Sequence, residues 1–114
     1  MKPLQGPYEL SIEGIDRTLP MGQPGVFALG YIDAAGTFRI QSVGRDDTDL
    51  RRRLREMIGS SNKFKFASAI DSEEAFAHEC ELFHHFKPRA NVVHPQRPQG
   101  SNWKCPHCFQ LHFG

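Results

Sequence analysis

The sequence predicts a small α+β domain: an antiparallel three-stranded sheet flanked by helices, with a C-terminal zinc-knuckle tail. Three observations predict it. Two largely apolar runs flank a tight turn, which makes a β-hairpin. Two later segments carry apolar residues at helical spacing, with one alternating strand between them. All three cysteines and all six histidines lie between His78 and His112.

At 114 residues one domain is expected. It is divided here into an N-terminal extension over 1–20, a central unit over 21–91 and a Cys/His tail over 92–114 packed on the same domain. In the extension, Tyr8-Glu9-Leu10-Ser11-Ile12 alternates enough for a short edge strand. Met21 to Gly25 is turn chemistry. Val26 to Ile32 is the first hairpin strand, and Asp33-Ala34-Ala35-Gly36 is the turn, with Gly36 free to take positive φ. Thr37 to Val43 returns, and Gly44 ends it.

A helix follows, capped by Asp46, Asp47 or Thr48. Its apolar face is Leu50, Leu54, Met57 and Ile58, and Gly59 stops it. Lys63-Phe64-Lys65-Phe66-Ala67 alternates as a third, half-buried strand. Asp71 and Glu74 form a capping box for a second helix, which runs to about Lys87 and stops before Pro88. The chain beyond is loop-like.

Composition excludes several function classes. The 14 Lys+Arg and 13 Asp+Glu balance to +1, so the chain is no polycation held to nucleic acid by bulk charge. With 39% hydrophobic and 24% charged residues it is not a disordered chain. No apolar run reaches the ~18 residues of a membrane span. Residues 1–6 lack an apolar signal core, so a cytoplasmic location is expected. Local charge is uneven: Arg51, Arg52, Arg53 and Arg55 crowd the first helix, with Arg45 and Arg39 nearby. Such a patch suits a phosphate backbone. The alternative is a solvated helix face balanced by Asp46, Asp47, Asp49 and Glu56.

The odd cysteine count speaks against a disulfide scaffold. Cys105 and Cys108 have zinc-knuckle spacing, and Cys80 and His84 share one helix face at i and i+4. Together they make a Cys₃His structural zinc site, with His112 and His94 as rivals for the fourth position. The alternatives are reduced thiols or a redox pair, though a redox Cys-x-x-Cys usually opens a helix after a strand.

The central unit resembles the GIY-YIG nuclease superfamily. The resemblance rests on Pro24-Gly25-Val26-Phe27, then Ser42-Val43-Gly44-Arg45, then Leu50-x-x-Arg53-Leu54, then Glu79 nine residues before Pro88, and Pro88-Arg89-Ala90-Asn91. It spans about residues 24–91. It implies a nucleic-acid partner, DNA before RNA, and endonuclease chemistry: hydrolysis of a phosphodiester with Mg²⁺ or Mn²⁺. Arg53 would hold the phosphate, Glu79 would ligate the metal, and Asn91 would brace the site. Three positions depart from the pattern. Phe27 and Ser42 replace the family's two tyrosines, and Met57 stands where histidine is common. Phenylalanine cannot accept a proton, and serine is a poor base unless another group activates it. The competing expectation is therefore a catalytically decayed module that binds nucleic acid or protein. A third is a purely structural, zinc-stapled domain.

Overall fold

The computed structural model describes residues 2–88 and 95–105. Seven elements follow in order: β1 (Gln5–Glu9), α1 (Ile12–Thr18), β2 (Gly25–Ile32), β3 (Phe38–Asp46), α2 (Leu50–Glu56), β4 (Lys63–Ser68) and α3 (Ser72–Phe86). The strands form an antiparallel sheet in the order β1-β4-β2-β3. The α+β class and the hairpin are as expected from sequence, but the sheet has four strands rather than three.

The fourth strand is Gln5–Glu9, not Tyr8–Ile12. It pairs with β4 through Tyr8–Phe64 and Glu9–Lys63. The reason it ends at Glu9 is Ser11, whose side chain accepts a 3.0 Å hydrogen bond from the Gly14 amide and caps α1. The sequence reading contained no such helix. Gly14 permits the tight turn from β1, because a Cβ there would lie 2.1 Å from the Glu9 carbonyl. Residues ahead of 21 thus supply Leu10, Ile15 and Leu19 to the core.

β2 is central, and its two faces are both covered, which explains its nearly continuous apolar run. Phe27 and Leu29 face one side, where they meet Phe64, Phe66, Leu50, Leu54 and Ile15. Val26 and Ala28 face the other, packed with Val43, Ala67 and Leu82 of α3. A bulge in β3 lets Leu29 pair with Ser42 while Gly30 pairs with Ile40. That extra residue allows Val43 and Ile40 both to face α3, and leaves Ser42 on the α2 side.

Two boundaries differ from expectation. β3 continues through Gly44 to Asp46. The cap of α2 is Asp49, while Asp46 accepts from the Thr48 and Asp49 amides to form the preceding turn. α3 is capped by Asp71, and Glu74 reaches back to the Ile70 amide. Lys87 closes α3 in the left-handed conformation just before Pro88.

Candidate functional site

Four elements converge on one pocket of about 470 Å³ beside the end of the hairpin. β2 contributes Phe27, β3 contributes Ser42 to Asp46, α2 contributes Arg53, and α3 contributes Glu79; Met57, capping α2, also lines it. These residues come from positions 27 to 79 of the chain and are assembled only by the fold. The antiparallel register sets Phe27 opposite Gly44. The Phe27 ring lies over Gly44 so closely that a Cβ on residue 44 would be 2.5 Å from the ring. Phe27 is 3% exposed and fills the floor of the site.

Glu79 lies on the inward face of α3 and is itself buried. Arg45 Nη1 donates to Glu79 Oε1 at 2.5 Å, and Arg45 Nε donates to Asp47 at 2.9 Å. A third donor, Nη2, meets the Gln96 carbonyl, and the guanidinium lies 5.1 Å over the Phe76 ring. Burial pushes the Glu79 carboxyl above the ordinary glutamate value; Arg45 opposes this and Asp47 adds to it. Burial also works against the Arg45 charge, but the hydrogen bonds it donates to Asp47 and Glu79 outweigh it and keep the guanidinium protonated.

Arg53 stands differently. Its side chain is 48% exposed, and its ion pair with Glu56 is long at 3.5 Å. It lines the pocket with its head accessible to an incoming anion. The remaining cations expected for a phosphate patch are divided. Arg51 and Arg55 turn to α1 and both pair with Asp16, at 3.1 and 2.7 Å. Arg52 is exposed on α2. Arg45 is interior, not part of an open surface.

Cys80 and Cys105 are both buried and share a cluster with Phe76, against which Trp103 packs. His84 is half-buried on α3, edge-on to Phe83. Among the described residues no three His, Cys, Asp or Glu side chains are placed to hold one metal ion. Asn91, His94, Cys108 and His112 lie outside the described residues. No helix among the described residues is long and apolar enough to cross a membrane.

Phe27, Ser42, Gly44, Arg53 and Glu79, singled out in the sequence, line one pocket; the sequence did not show Arg45 as the partner of Glu79. No local signal marked it, because the strand was expected to end at Gly44 and Arg45 reads as one of several nearby surface arginines. Nothing in the sequence pointed to Asp16 or to the Gln96 carbonyl. No family model, curated protein or solved structure matches the chain.

Proposed function

We propose that this chain binds the phosphate backbone of nucleic acid, DNA foremost, on a GIY-YIG-like scaffold, and hydrolyses a phosphodiester bond there with a divalent metal. The observation that carries the reading is the convergence of Phe27, Ser42, Gly44, Arg53 and Glu79 on one pocket. Arg53 offers the planar fork suited to a phosphate. Glu79 is an oxygen donor at the inner wall, and Mg²⁺ requires only one or two carboxylates beside its waters. Mg²⁺ or Mn²⁺ at Glu79 would offset phosphate charge and lower the pKa of a water.

Phe27 and Met57 offer no proton acceptor, and Ser42 is a poor one. The pocket carboxylates Asp46 and Asp47 already accept hydrogen bonds, Asp46 from the Thr48 and Asp49 amides and Asp47 from Arg45, which weakens them as bases. Hydrolysis is therefore slow. A binding-only reading has one observation in its favour: Arg45 already occupies the Glu79 carboxylate. A metal at Glu79 must share or displace that guanidinium.

The test pairs cleavage with binding. Plasmid and oligonucleotide substrates are incubated with Mg²⁺ or Mn²⁺ and wild type, Glu79→Ala or Arg53→Ala. Cleavage lost in both variants supports hydrolysis. Binding without cleavage, with the salt slope of affinity reduced by about one in Arg53→Ala, supports the binding-only reading. Identical behaviour of all three proteins rejects both.

A structural zinc site is the second part of the proposal. Cys80 and Cys105 fit, since two buried thiols share one cluster and thiolates are preferred zinc donors. Cys108, with His84, His112 or His94, would complete four ligands by sequence spacing. A closed site of this kind holds structure and performs no hydrolysis.

A further inference from the structure

A second groove, of about 1160 Å³, opens directly from the candidate pocket, and the two share Ser42 and Met57. It follows β3, the edge strand of the sheet, to the C-terminal end of α3. This volume exceeds the roughly 300–1,000 Å³ typical of small-ligand pockets, so its shape suits an extended chain. Its lining includes two cations, Arg39 and Lys87, and no carboxylate among the described residues. Arg39 is 60% exposed even while paired with Asp33. Three aromatic residues line it. Phe38 packs against the core and carries Lys65 over its ring, whereas Tyr31 and Phe86 are each 41% exposed and belong to no core cluster among the described residues.

We infer that this groove receives an unpaired strand of nucleic acid flanking the phosphate held at Arg53, with Tyr31 and Phe86 as stacking platforms for its bases. The inference rests on the phosphate-binding reading of the pocket. The exposed cations Arg39 and Lys87 attract the backbone, although Arg39 must share its charge with Asp33, and exposed rings take the π-faces of bases. Bases in a duplex are already stacked on one another and cannot use those rings. A groove that combines both features therefore favours a single strand over a duplex.

Fluorescence anisotropy with the full chain in EDTA tests this, using a labelled oligothymidylate of about 15 nucleotides and a duplex of the same length. Wild type is compared with Arg53→Ala, with the double variant Tyr31→Ala/Phe86→Ala, and with the ring-preserving Tyr31→Phe/Phe86→Tyr. The expected result is single-strand binding about tenfold tighter than duplex binding. The alanine pair loses that preference, the ring-preserving pair keeps it, and Arg53→Ala weakens both ligands. Equal affinity for strand and duplex, or no effect of removing the rings, overturns the groove while the pocket reading stands. An alanine pair and a ring-preserving pair that fail alike also overturn it, because stacking would then not be the cause. Failure of wild type to bind either oligonucleotide overturns both.

Discussion

Arg45 joins Glu79, Asp47, the Gln96 carbonyl and the Phe76 ring. Its side chain is 12% exposed and that of Glu79 is 10% exposed, so the pair is desolvated. Removing one member of such a pair leaves the other charge buried and unmatched. Arg45→Met is expected to lower unfolding free energy by about 3–5 kcal/mol. Adding Glu79→Gln to it recovers part of that loss, measured by urea denaturation of both single variants and the double. Additive losses would show that the two side chains are not coupled. An arginine among arginines is usually solvated, so nothing in the local sequence marked Arg45 as interior. Phe27 and Gly44 were legible as motif positions, but their pairing depends on the bulge in β3, which shifts the register by one residue and which the sequence did not show.

Between elements, the clearest connection is α1 to α2. Asp16 accepts from Arg55 and Arg51, whose hydrogen bonds hold its carboxyl below the ordinary 3.8. A carboxyl lowered on folding adds stability above its unfolded value and loses it as pH falls through its folded value. Asp16→Asn is expected to lower the melting temperature slightly near neutral pH. It should also flatten the acid-induced decline from about pH 5 downward, and thermal scans across that range check both. A steeper decline in the variant would contradict the sign. Helix α1 escaped sequence reading for a physical reason. It has seven residues, Gly14 within it and Ile15 as its only fully buried side chain, so it carries almost no periodicity. The longer α3 and the alternating β4 were legible because each repeats its pattern enough to show a face.

Across the whole molecule, near-zero net charge describes an internal balance as well as a total. Asp16, Asp33, Asp47 and Glu79 each pair with an arginine, while on α2 Arg53 has only a long 3.5 Å pair with Glu56 among the described ion pairs and Arg52 is exposed. The sequence showed the arginine cluster but could not show which of its members the fold neutralises. The segment over 95–105 is tied to the body by the Gln96 carbonyl on Arg45 and by Cys105 beside Cys80, among other contacts. If zinc completes the second tie, purified wild type contains about one zinc per chain. Cys105→Ser should lose it and melt lower, read by metal analysis and calorimetry. Stoichiometric zinc in that variant would reject the ligand set.

Trp103 is the chain's single tryptophan, and it packs against the Phe76, Cys80 and Cys105 cluster. The opposite side of that contact network reaches Arg45 through the Phe76 ring, and Glu79 through Arg45. The protein therefore carries an intrinsic fluorophore three contacts from its candidate metal carboxylate. If a metal binds at Glu79 as proposed, a change in tryptophan emission is the expected label-free readout of its occupancy.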